Sequence, residues 1–132
     1  MRRATIALLL LLGACSDGVA LDGPWRLVET DIAEDRTLCR DMGDSCVGDQ
    51  LPGPMVYGAG WDKSYVVLVR HPTNDSGGVD YVRSEYFYVV RTAGEAEPTW
   101  RAQVHGPFTE QQFKRETERL RLPPLTVWPD SW

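Results

Sequence analysis

Hydrophobic positions along this chain follow three regimes. Residues 6–12 are an unbroken aliphatic run, short β-favouring clusters punctuated by turn residues extend to residue 104, and helical spacing sets in only after Thr109. Trp25, Leu27 and Val28 predict a first strand over 25–29, with Pro24 tolerated just before it, and residues 37–40 a short second one. Residues 41–54 hold Gly43, Gly48, Pro52, Gly53 and Pro54 without periodicity, which predicts a loop. Three apolar, β-branched and aromatic segments follow at 55–61, 64–70 and 79–90, separated by Asp62-Lys63 and by residues 72–78. That is the pattern of an antiparallel meander. From Tyr65 to Val69 both parities are apolar, so this strand should be central and covered on both faces. Around Arg83 and Glu85 the apolar positions change parity, and a bulge or bend is expected there. Residues 94–98 read as a loop and 100–104 as a last strand.

The helix start is written more plainly. Thr109 stands as N-cap with Gln112 three residues on, the spacing of a capping box, while Phe108 and Phe113 flank it as a hydrophobic staple. The helix should run from Glu110 to Arg121, before Pro123-Pro124. Its apolar stripe of Phe113, Thr117 and Leu120 is narrow, so one edge packs while Glu110, Lys114, Glu118 and Arg121 face water. These elements predict an α+β fold: a single domain with an antiparallel β-meander sheet and one C-terminal helix packed on it.

The first regime is of another kind. Arg2 and Arg3 precede an apolar stretch far short of the ~20 residues of a spanning helix, which makes it an export signal. Leu12-Gly13-Ala14-Cys15 then resembles the lipobox of bacterial lipoproteins, in which the cysteine thiol takes a diacylglyceryl group before cleavage. The resemblance implies a signal peptide at 1–14, lipidation of Cys15, a lipidated N-terminus and tether over 15–23, and a globular domain over 24–132. Ordinary cleavage after Ala14, with Cys15 a free or paired thiol, is the alternative. Ser16 stands where the inner-membrane retention signal would place Asp, which favours the outer membrane, facing the periplasm. Gly60-Trp61-Asp62, Tyr86-Phe87-Tyr88 and Gly106-Pro107-Phe108-Thr109 add a similarity to a family of small lipoproteins of unknown function, which implies a fold and no chemistry.

Composition narrows the partners. Without residues 1–14, 118 of the 132 residues remain, enough for one core, and 12 basic residues face 19 acidic ones, a formal charge of −7. Such a domain is a poor partner for nucleic acid or anionic headgroups. With Cys15 lipidated, Cys39 and Cys46 are an even pair in an exported protein and should form a disulfide, whose loop closure is worth about 2.5 kcal/mol in the chain-entropy model. His71 and His105 stand alone, so neither a metal nor a cofactor is expected.

No constellation reads as a catalytic site. Ser64, Ser76 and Ser84 lack a nucleophile-elbow context, and His105 before Gly106-Pro107 has no partner at a telling spacing. Of the five tryptophans, Trp128 and Trp132 lie in a Pro-rich tail that either closes the core or offers a surface to a protein or glycan partner. The expected function is therefore a non-enzymatic binding or accessory module held at a membrane by the lipid on Cys15. The alternative is an inhibitor or immunity protein whose stapled loop over 41–49 complements a basic cleft on a toxin or wall hydrolase.

Overall fold

The computed structural model describes residues 18–29, 35–48 and 50–128. Strands β1 (Gly18–Ala20), β2 (Trp25–Glu29), β3 (Arg36–Asp41) and β4 (Cys46–Val47) form one antiparallel sheet in that order. Strands β5 (Val56–Trp61), β6 (Tyr65–Arg70), β7 (Glu85–Val90), β8 (Gln103–Phe108) and β9 (Thr126–Val127) form a second, ordered β8-β7-β6-β5-β9. Helix α1 (Glu110–Leu120) packs against β7 and β8. The α+β class, the meander and the C-terminal helix are as expected. The strands divide into two facing sheets, however, because the Gly/Pro-rich chain after β4 carries the backbone from one layer to the other.

The two-sided apolarity of β6 explains the layering. Val66 and Leu68 join Phe87 and Val89 of β7 in a core shared with Trp25, Leu27 and Leu38 of the first sheet. Val67, on the opposite parity, packs with Tyr88, Phe113 and Leu122 under the helix. Alternation along a pleated strand thus separates the two cores.

Several boundaries differ from the sequence pattern, each for a local reason. Residues 18–20, expected as tether, pair with β2 as an edge strand, and Leu21 joins the core. Residues 79–84 do not extend β7. Asp80 Oδ1 accepts from the Val82 and Arg83 amides (3.1 and 3.3 Å), closing a turn, so the parity change at Arg83 marks where the strand starts. The last meander strand lies at 103–108, because residues 94–100 turn and bring the Trp100 ring edge-on to Trp25, with centroids 5.7 Å apart. Inside the loop predicted over 41–54, Met42 N–H donates to the Ser45 carbonyl (2.8 Å) and leads into β4, which the Cys39–Cys46 disulfide fastens to β3.

The helix follows its caps. Gln112 N–H donates to Thr109 Oγ1 (3.2 Å) while Thr109 N–H donates to Gln112 Oε1 (2.9 Å), satisfying two amides that helix geometry leaves without partners. Phe113 is buried and stacks on Tyr86, with centroids 5.1 Å apart. Beyond the helix the chain returns along β5, pairing Thr126 with Ala59 and Val127 with Gly58. Gly60 permits this return, since a Cβ there would collide with the Pro124 carbonyl oxygen.

A buried polar joint locks the sheets together at one end. The Trp25 indole N–H donates to Glu95 Oε2 (2.9 Å), and Arg91 donates to both oxygens of the same carboxylate (2.7 and 3.1 Å) and to Asp22 (2.7 Å). The Arg91 and Glu95 side chains are only 8% and 13% exposed, and the bonds to Glu95, ahead of those to Asp22, raise the Arg91 pKa. Arg40 of β3 reaches the same loop, donating to the carbonyls of Glu95 (2.6 Å), Glu97 (3.2 Å) and Trp100 (3.2 Å). Glu95→Ala leaves the buried Trp25 indole N–H without its acceptor and Arg91 with Asp22 as its remaining carboxylate, so it should cost about 1–3 kcal/mol in urea denaturation. Glu95→Gln, which keeps an acceptor for Trp25, should cost less.

Candidate functional site

A predominantly apolar hollow lies where the β1 edge of the first sheet meets β5 and β9 of the second. It is a groove of about 320 Å³. Val19 and Leu21 wall one side and Gly60 and Trp61 the other, while Thr126 and Trp128 form its end. Each wall is placed by strand geometry. Val19 pairs with Leu27 at the edge of β2, Trp61 with Val66 at the end of β5, and the Trp128 amide donates to the Tyr57 carbonyl (3.0 Å). The Trp128 ring packs on the shared core, with the Arg36 guanidinium 5.6 Å from its centroid. Trp128 therefore closes the core and lines a binding-sized cleft at once. Trp132 and Cys15 lie outside the described residues.

None of the groove's lining side chains titrates. Its described lining suits hydrocarbon or an aromatic group, with Thr126 the one hydroxyl-bearing residue among the described lining. Trp61 and Val19 stay 43% and 38% exposed.

Sequence reasoning missed a second constellation. His71 Nδ1 lies 2.8 Å from the Arg83 carbonyl oxygen, its ring stacks on Tyr57 (4.2 Å between centroids), and the Tyr57 hydroxyl is 2.6 Å from Ser84 Oγ. A carbonyl only accepts, so Nδ1 is the donor in this bond. Ser84 bonds to the Tyr57 phenol rather than to the imidazole, so the histidine–hydroxyl contact of an activated nucleophile is not made here. The pKa of the nearby Tyr86 phenol is pushed up chiefly by burial. The cluster orders the loop before β7. These residues are 12 to 27 positions apart, too far for any spacing to announce them.

The remaining candidates fall elsewhere. His105 stacks on Tyr88 (4.6 Å between centroids) on the helix side of the second sheet, and Tyr88 in turn is 3.5 Å from Glu116. Cys39 and Cys46 are joined, with Cα atoms 5.4 Å apart. In the stapled loop Asp41 accepts from the Gly43 amide (2.9 Å) and from Arg26 (3.0 Å), so part of the loop's acidity is neutralised within the chain. Among the described residues no group of three His, Cys, Asp or Glu converges as for a metal ion, and no helix is long and apolar enough to cross a membrane. Comparison of the chain with protein-family models, curated proteins and solved structures finds no match.

The Gly43 amide, then Arg26, holds the Asp41 carboxyl below its ordinary value of 3.8. A lowered pKa means the folded state prefers the charged form. The stability this contributes is present above the unfolded value and is lost as pH falls through the folded one. Acid titration followed by circular dichroism should show that loss below about pH 4. Asp41→Asn should flatten that limb and leave the neutral-pH fold intact.

Proposed function

We propose that the chain is a lipid-anchored domain of the bacterial cell envelope, held through Cys15 on the periplasmic side of the outer membrane and working as a non-enzymatic binding or accessory module. The observation that carries this reading is the groove beside β1: it is apolar, open to solvent and lined without a titratable group, which suits retention of a ligand rather than its conversion. The Cys39–Cys46 disulfide supports an oxidising compartment, since such bonds persist outside the reducing cytosol. Anchoring through two or more acyl chains is stable where one is marginal, at ~0.8 kcal/mol per buried methylene. The domain therefore needs no membrane-crossing segment of its own.

Cys15→Ala should move the protein from the membrane pellet to the soluble fraction, and globomycin should cause accumulation of the unprocessed precursor. A variant that stays in the pellet would contradict the anchor. Fluorescence titration with a hydrophobic dye should show binding that weakens in Trp61→Ala, whose own stability cost, about 1–3 kcal/mol for the buried part of the ring, is followed in parallel by urea denaturation.

A further inference from the structure

We propose that the groove between β1 and β5/β9 docks on the bilayer to which the protein is anchored, with Trp61 and Val19 seated at the boundary between headgroups and acyl chains. This rests on the reading of Cys15 as the lipidated residue. What leads to it is the length of chain between that residue and the domain. Strand β1 starts at Gly18, and Val19 in the groove wall is four residues from Cys15. Even fully extended, four residues span at most about 14 Å. The headgroup region on each side of a bilayer is about 5–7 Å thick. A lipid held in the membrane at Cys15 thus keeps Val19 within roughly one further headgroup thickness of the surface. The domain has little freedom to turn this edge away.

The chemistry of the edge fits that position. Trp61 (43% exposed) and Val19 (38% exposed) flank a cleft without a titratable lining group, and tryptophan is the side chain most at home where water meets lipid. Two of the described acidic residues beside this edge are engaged within the chain. Asp22 pairs with Arg91 (2.7 Å), and Asp62 Oδ1 accepts from the amides of Ser64 and Tyr65 (both 2.8 Å). Zwitterionic headgroups therefore suffice, and docking should depend little on anionic lipid.

The test uses the full-length lipidated protein, extracted from membranes in detergent and reconstituted into phosphatidylcholine vesicles, in a Trp132→Phe background so that Trp61 and Trp128 are the groove tryptophans read. Lipids brominated near the glycerol end of the acyl chain should quench tryptophan fluorescence more than lipids brominated near the methyl end. Trp61→Phe should lose most of that quenching while floating with the vesicles as before. Val19→Asp, which leaves every tryptophan in place, should reduce it in the same way, so the result does not hang on one substitution. Protein that floats with the vesicles but is unquenched by either lipid would overturn the docking and leave the anchor standing, with the groove then open to a protein partner. Protein that does not float would overturn the anchor and the docking together.

Discussion

Val66, Val67, Leu68 and Val69 are all fully buried, and a strand without a solvent face must be covered on both sides. Each such side chain removed from water contributes about 1.5–3 kcal/mol. Neighbouring strands cannot give that cover, because they lie edge to edge with β6 in its own sheet. A second layer is needed above and a third below. The first sheet supplies one through Trp25, Leu27 and Leu38, and α1 with the chain after it supplies the other through Phe113 and Leu122. The order of the elements follows from this requirement. The chain lays down one cover, crosses over, builds the meander, and closes the far face with the helix.

Hydrophobic cover is non-directional and does not by itself align two sheets. Alignment comes from polar groups that can be satisfied in only one arrangement. Glu95 lies where the Trp25 indole and the Arg91 guanidinium converge, and Arg40 spends its donors on carbonyls of the same loop. At the other end the returning tail pairs with β5 and sets Trp128 across the gap between the sheets. The groove is what this alignment leaves open beside β1. Its walls belong to different sheets, so its shape depends on both the shared core and the polar joint.

Local signals in the sequence were enough for the central strands and the helix and insufficient for the short edge strands and the layering. The capping box at Thr109 and Gln112, the two-faced apolarity of residues 65–69 and the pairing of Cys39 with Cys46 each depend on residues close in sequence, and each was legible. The division into two sheets was not, because antiparallel pairing of β2 with β3 reads the same whether or not β3 also pairs with β5. Gly18–Ala20 looked like tether since three small or aliphatic residues carry no period, and only their pairing with β2 makes them a strand. The groove was half legible. Trp128 stood out as an aromatic in a Pro-rich tail, but Val19 and Trp61 are 42 residues apart in the chain and meet only after both sheets have formed. The Tyr57, His71 and Ser84 cluster was illegible for the same reason.

The central claim is that the two sheets are one cooperative unit, since β6 cannot stay buried without the first sheet over it. Native-state hydrogen exchange tests this most directly. The amides of Leu27 and Leu38 in the first sheet and of Val66 and Leu68 in β6 should exchange with one common opening free energy, equal to that of global unfolding. First-sheet amides that open at markedly lower free energy, while those of β6 keep full protection, would contradict it.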